Sequence, residues 1–317
     1  MVSREAGDAE NKSEVKGGPK KLVKKVGNYI YDFNAAPIGA GGFATVYKGY
    51  EYGNTTNVVA IKVISKDAVA KYGKRQDILM REIEVLKKLK GKHILEFQDA
   101  LSSEGGNFYI ITSFCKEGNL TKLAESGKVT VGKALRILSD IAQAFLEIEA
   151  LQLKDEKGNI LAMMHRDLKP ENILIRNGMA ILADFGFAKF VTEEAKEKQI
   201  DQTKLGTQDY MSPQQLGANP YSYKCDIWAM GMVTYELIAG KLPWRGATKY
   251  SLVTKIKDEP LKFTDKMSEN VQDLLSKMLS FEEKERPDWK EILEHPAMKE
   301  MEEISNEGEN GVKVNAQ

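Results

Sequence analysis

The sequence predicts an α+β chain in two unequal parts, a small β-rich part followed by a larger helical one. Three observations carry this. From Tyr29 to about Thr112 there are short β-branched and aromatic runs, Phe43 to Tyr47, Val58 to Ile64 and Phe108 to Thr112, which read as strands. One helical pattern, about Asp77 to Leu89, interrupts them. After Gly118 helical periodicity takes over. It is clearest from Val131 to Leu151, where Leu135, Leu138, Ile141, Ala142, Phe145 and Leu146 share one face. A cleft is expected at the connection, near Ser113 to Gly118.

Composition sets the outer limits. The chain has 317 residues, with 46 basic and 46 acidic side chains, 42% hydrophobic and 29% charged. That length can bury a sizeable core without covalent staples. The balanced charge argues against bulk coating of nucleic acid or an anionic membrane. Cys115 and Cys225 give neither a disulfide framework nor a zinc spacing, and His93, His165 and His295 are too dispersed for a metal cluster. The most apolar stretch, Ile227 to Ala239, is interrupted by Thr234 and Glu236, short of the roughly 18 apolar residues a membrane span needs. Nor does Met-Val-Ser-Arg-Glu open like a signal peptide or a myristoylation site. A cytoplasmic protein is expected, with a nuclear one as the alternative.

Residues 1–27 are rich in Lys, Glu, Gly and Ser and read as a disordered basic tail, with Lys20, Lys21, Lys24 and Lys25 clustered. Residues 299–317 read as an acidic flexible tail. The formal charges of +3 and −3 on residues 1–26 and 299–317 cancel, leaving 37 basic against 37 acidic groups between them.

The first candidate site is the turn Ile38-Gly39-Ala40-Gly41-Gly42-Phe43-Ala44-Thr45-Val46, set between two strand-like runs. Glycine lets backbone amides approach phosphate oxygens closely. A plain hairpin turn has the same composition, and the following strand argues against a Rossmann or Walker loop. Next, Val59-Ala60-Ile61-Lys62 puts a lysine into an apolar run, where alternation could also turn it to solvent. On the helix Asp77 to Leu89, Glu82 falls in the middle of the arc formed by Ile78, Leu79, Ile83, Val85, Leu86 and Leu89. A carboxylate on a buried face needs a cation. Lys62 is the available one, and such a pair can hold nucleotide phosphates.

The second candidate site is His165-Arg166-Asp167-Leu168-Lys169-Pro170-Glu171-Asn172, a polar loop between hydrophobic segments. Strand-like Ile173 to Ile175 and Met179 to Ala183 follow, joined at Asn177-Gly178 as a hairpin, and then Asp184-Phe185-Gly186. The hairpin makes Asn172 and Asp184 emerge at the same end. An amide oxygen and a carboxylate there suit Mg²⁺, and Asp167 is placed to accept a proton from an incoming hydroxyl.

Together these residues resemble a eukaryotic serine/threonine protein kinase domain, over about residues 28–298. The resemblance implies a bilobal protein-kinase-like fold: an N-lobe at 28–112, a hinge at 113–118 and a C-lobe at 119–298. It implies ATP and Mg²⁺ as cofactors and protein substrates with Ser or Thr acceptors. Residues 38–46 would cover the ATP phosphates, and Lys62, paired with Glu82, would contact them. Ala60, the gatekeeper Thr112 and the hinge residues Ser113 and Cys115 would surround the adenine. Asp167 would deprotonate the hydroxyl, Lys169 would steady the transferring phosphate, and Asn172 with Asp184 would hold Mg²⁺. Arg166 often accompanies control by activation-loop phosphorylation, with Thr203 the candidate and Thr207, after Gly206, a support of the substrate loop. Asp226 would accept backbone N–H bonds, and His295 would pack. The subfamily resembled is the autophagy-initiating group or the calcium/calmodulin-dependent group.

Some positions depart from the family pattern. Ala44 replaces the usual third glycine. Ser212-Pro213-Gln214 replaces Ala-Pro-Glu, so Gln214 is expected to meet Arg286 through a hydrogen bond instead of an ion pair. Residues 154–159 look longer than usual and read as a surface turn. A regulatory partner could bind there or on the tails. A nucleotide-binding scaffold and a tyrosine-directed kinase are the rival readings. The complete set of Lys62, Glu82, Asp167, Asn172 and Asp184 argues against the first, and Lys169 against the second.

Overall fold

The computed structural model describes residues 5–6, 10–11, 23–41, 44–67, 83–125, 129–192 and 208–301. The chain divides into two compact units, Met1–Leu89 with Leu95–Lys116, and Lys90–Ile94 with Glu117–Gln317. The first is β-rich and the second mostly helical, as the sequence predicts.

The first unit is built on one sheet. Its strands are β1 (Glu5–Ala6), β2 (Glu10–Asn11), β3 (Val23–Val26), β4 (Tyr29–Asp32), β5 (Gly39–Ala40), β6 (Thr45–Glu51), β7 (Asn54–Ile64), β8 (Phe97–Ser103) and β9 (Phe108–Ser113). They run in the order β1-β8-β9-β7-β6-β4-β3-β2, with β5 on β6. Alternation along β7 gives its two faces different jobs. Val59 and Ile61 are fully buried and join Val26, Tyr31, Leu101, Tyr109 and Ile111 in one apolar cluster. Ala60 and Lys62 take the opposite face.

Two expectations about the tails are corrected here. Val23–Val26 lies in the expected disordered segment but forms strand β3, turned through Gly27-Asn28 onto β4, with Val26 buried. Its two lysines mask the strand in the sequence, yet both lie over aromatic rings, Lys25 Nζ 3.8 Å from the Tyr52 centroid and Lys24 Nζ 5.8 Å from that of Tyr109. At the other end, residues 299–301 continue a helix. Glu300 accepts from the Ser268 hydroxyl at 2.6 Å and from the Asn270 amide, and Met301 is buried.

In the second unit the helix Val131–Ala150 starts at Thr130, whose hydroxyl accepts from the Lys133 amide at 3.2 Å. It buries a continuous arc that includes Leu135, Leu138, Ile141 and Phe145. Helix Lys224–Ala239 is buried nearly all round and ends at Gly240, whose φ of 72° is the left-handed conformation glycine adopts freely. The hairpin appears where the sequence puts it: β11 (Ile173–Arg176) pairs with β12 (Met179–Leu182), after β10 (Leu161–Met164) and before β13 (Lys189–Thr192), which pair with each other. At its tip Asn177 and Gly178 have φ of 52° and 77°. Both are positive, as a tight two-residue hairpin turn requires. Residues 154–159 make the expected surface turn. Asp155 accepts from the Asn159 side-chain amide at 2.8 Å and from the backbone amides of Asn159 and Lys157, both at 2.9 Å, and these bonds, the side-chain one first, hold its carboxyl below the usual carboxylate range. Among the described residues no helix is long and apolar enough to cross a membrane.

Candidate active site

In the first unit the glycine turn is a short hairpin. Gly39 pairs with Val46 and Ala40 with Thr45, Ile38 N–H donates to Val46 O at 2.8 Å, and Gly41 N–H donates to Ala44 O at 2.9 Å. A Cβ added at Gly41 would meet nothing within 4 Å, whereas one at Gly49 would meet the Ile30 carbonyl oxygen at 2.8 Å. Packing therefore explains the glycine at 49 and not the one at 41. Gly41 leaves room for a group from outside the turn, as a backbone phosphate cradle needs.

Register gathers other expected residues on one face. Lys62 stands opposite Val46 on one side and Ile110 on the other, and Ala60 stands opposite Thr112. Cross-strand partners share a face, so Val46, Ala60, Lys62 and Thr112 lie on the face away from the apolar cluster. Thr112 and Cys115 are buried, and Ser113 N–H donates to Glu96 O at 3.0 Å. Gly42, Phe43, Glu82, Thr203, Gly206 and Thr207 lie outside the described residues.

In the second unit the loop from His165 to Asn172 is held from behind by one carboxylate. Asp226 accepts from the backbone amides of His165 at 2.7 Å and Arg166 at 2.8 Å. Complete burial pushes the Asp226 carboxyl up, against the lowering effect of His165 and these hydrogen bonds. His165 is fully buried, its Nε2 3.0 Å from Ala183 O and its ring edge-on to Phe185 at 5.4 Å. Arg166 has a left-handed φ of 69° and donates from Nε to Phe187 O at 2.8 Å. Asp184 is left-handed too, at φ 59° and ψ 75°. Such conformations cost energy and concentrate at functional sites.

Three polar side chains meet at the front of this loop. Lys169 Nζ lies 3.0 Å from Asp167 Oδ2. Asn172 Nδ2 donates to the same oxygen at 3.0 Å and to the Asp167 carbonyl at 2.9 Å. Ala183 N–H donates to Asn172 O at 3.0 Å, so the hairpin delivers Asp184 beside Asn172. Among the described residues no three His, Cys, Asp or Glu side chains form a metal cluster. Asn172 and Asp184 instead offer an amide and a carboxylate.

Further back, Gln214 meets Arg286 as expected, Nη2 donating to Oε1 at 2.8 Å. Sequence reasoning missed a second buttress. His93 is buried, with Nδ1 2.9 Å from Glu147 and Nε2 3.5 Å from Asp140, whose other oxygen accepts from the Ala180 amide at 2.8 Å. Burial raises the Asp140 carboxyl, although the Ala180 amide and nearby cations pull it down. The signal was present, since Asp140 is a carboxylate inside the buried arc of its helix. Glu117 was also missed, and its carboxylate accepts from the amides of Asn177 and Gly178, both at 2.8 Å.

Comparison with known proteins agrees with this geometry. The family described as protein kinase domain matches residues 34–298. Serine/threonine-protein kinase atg1 of Dictyostelium discoideum is 30% identical over 281 residues, covering 86% of this chain and 39% of that protein. Serine/threonine-protein kinase TIO of Arabidopsis thaliana is 32% identical over 268 residues, covering 84% of this chain and 19% of that protein. This chain therefore spans well under half the length of those two relatives. Aurora kinase C of Mus musculus is 31% identical over 274 residues, and there the coverage is 86% of this chain and 93% of that protein. The atg1 match agrees with the resemblance to the autophagy-initiating group. On the family match and these relatives, the chain belongs to the protein kinase domain family, among its serine/threonine kinases.

Proposed function

We propose that this chain transfers the γ-phosphoryl group of ATP, in the presence of Mg²⁺, to serine and threonine hydroxyls of protein substrates. The observation that carries the reading is the hold on Asp167. Its carboxylate is fixed by Lys169 at 3.0 Å and by Asn172 at 3.0 Å, in a buried loop whose backbone Asp226 secures. Phosphoryl transfer has a loose transition state, so catalysis is mainly positioning and charge neutralisation. A carboxylate set in place beforehand meets that need.

In this reading Asp167 orients the attacking hydroxyl and takes its proton. Lys169, already beside Asp167, steadies the group in transfer. The residues also fit the metal. Asn172 commits its amide nitrogen to Asp167 and keeps its oxygen as a hard neutral donor, and Asp184 adds a carboxylate. Mg²⁺ favours such a sparse oxygen set, completed by phosphates and water. When bound, the ion neutralises phosphate charge. On the first unit, backbone amides of residues 38–46 and the Lys62 ammonium are assigned to the phosphates. Ala60, Thr112, Ser113 and Cys115 are assigned to the adenine. Phosphorylation at Thr203 is proposed to raise activity.

The test is phosphoamino-acid analysis after incubating the purified chain with labelled ATP, Mg²⁺ and a broad peptide library. Phosphoserine and phosphothreonine that vanish in Asp167→Asn are expected. Nucleotide binding with no transfer from the wild type would overturn the reading in favour of a scaffold. Equal activity of Thr203→Ala and wild type would remove the regulatory part alone.

A further inference from the structure

Arg286 is the largest buried charge behind the substrate loop, only 2% exposed, with its guanidinium 5.0 Å from the Trp228 ring centroid. Its hydrogen-bond acceptors are neutral: Ser280 O at 2.9 Å, Lys224 O at 3.1 Å, Phe281 O at 3.3 Å and Gln214 Oε1 at 2.8 Å. Neutral acceptors satisfy the donors but leave the charge unbalanced, and an unbalanced buried charge is costly. The usual glutamate at position 214 would balance it, and this chain has glutamine there.

A carboxylate does reach the guanidinium from another direction. Glu283 is 5% exposed, one helical turn before Arg286, with Oε1 4.0 Å from Arg286 Nη1. The same oxygen accepts from the Ser222 amide at 3.0 Å. Ser222 lies four residues before Asp226 and leads directly into the turn that opens helix Lys224–Ala239, since Cys225 N–H donates to Ser222 O at 3.1 Å. Burial lowers the Arg286 pKa to about 10, and Glu283 is the first of the groups opposing that fall.

We infer that Glu283 is a positioning residue for phosphoryl transfer: it supplies the counter-charge that Gln214 lacks and anchors the segment carrying Asp226, and through it the loop of Asp167. The inference rests on the kinase reading above. The counter-charge has moved from the substrate loop to the turn before Arg286. In its present place it also restrains Ser222, through the hydrogen bond from the Ser222 amide.

The test uses Glu283→Gln, which keeps an oxygen to accept from Ser222 and removes only the charge. Its kcat is expected to fall about tenfold with KM for ATP within about twofold, because the defect lies in positioning and not in nucleotide binding. Its melting temperature is expected to drop by about 5 °C. The decisive variant is Gln214→Glu combined with Glu283→Gln, which returns the carboxylate to the other side of Arg286. Recovery of kcat to within about threefold of wild type supports the inference. So does recovery of folding, should the single variant fail to fold. Wild-type kcat and stability in Glu283→Gln would overturn it, and so would a double variant no better than the single one. If the wild type itself transfers no phosphate, the kinase reading fails. The melting temperatures, with amide exchange at Ser222, His165 and Arg166, still decide whether the charge has been relocated.

Discussion

Asn172 donates a single amide nitrogen to two oxygens of Asp167, the backbone carbonyl at 2.9 Å and the carboxylate at 3.0 Å. The residue assigned to the metal thus also sets the angle of the residue assigned to the hydroxyl. Asn172→Ala removes both bonds and is expected to lower kcat by at least about a hundredfold. Asn172→Asp should be worse for the orientation of Asp167, because it sets carboxylate against carboxylate where a donor stood. Steady-state kinetics of the two variants, with circular dichroism to confirm folding, check the order.

Asp226→Asn tests the support behind the loop. An asparagine can offer its oxygen to only one of the two amides and turns an N–H₂ donor toward the other. Leaving a buried amide without an acceptor costs about 1–3 kcal/mol. Denaturant unfolding should show a loss of that size, accompanied by a fall in activity. Wild-type stability would contradict the support role.

The two glycines in the first unit should behave differently on mutation to alanine. Gly49→Ala forces a methyl against the Ile30 carbonyl and is expected to lose about 1–3 kcal/mol of stability. Gly41→Ala meets open space, so its stability should stay within about 0.5 kcal/mol of wild type. Its KM for ATP should rise, since the new methyl occupies the approach to the turn. Paired melts and kinetics separate the two cases.

Asp140 gives a pH dependence with a definite sign. Its carboxyl is raised from 3.8 in the folded chain, so the folded state binds its proton more tightly than the unfolded state does. The contribution of this group to stability is therefore fully present below pH 3.8. It falls as pH rises through the raised value and is flat above it. Asp140→Asn can still accept from Ala180 but does not titrate. The stability of wild type relative to Asp140→Asn should decline as pH rises through that window, and an increase would contradict the assignment. Urea unfolding of both proteins across mildly acidic pH measures the difference.

Much of this was legible because it is local. Asn177-Gly178 between two short apolar runs dictates a hairpin, and the hairpin sets Asn172 and Asp184 side by side. Gln214 facing Arg286 and Asp226 facing two amides are distant contacts, and they were anticipated only through the resemblance to protein kinase domains. What escaped reading depends on distant pairing. Leu161–Met164 is made of Leu, Ala and Met, which favour helices, yet it is a strand because Lys189–Thr192 lies beside it. Val23–Val26 hides its pattern behind two lysines. His93 gives no local sign that Asp140 and Glu147, two helical turns apart, enclose its ring. Glu283 was invisible too, since its partner Ser222 is 61 residues away and no family motif points to the pair.

The loop from His165 to Asn172 is secured by Asp226 from its buried side, away from the contacts that Lys169 and Asn172 make with the Asp167 carboxylate. Within that loop Asp226 is hydrogen-bonded to backbone amides, and backbone is the same whatever side chains the loop carries. A lineage could therefore exchange Asp167 or Lys169 and retain the loop's shape, which makes loss of catalysis with retention of architecture a short evolutionary step. At the bench the same separation means that a substitution at Asp167 which keeps an acceptor for Asn172, such as Asp167→Asn, leaves the Asp226 anchor of the loop in place.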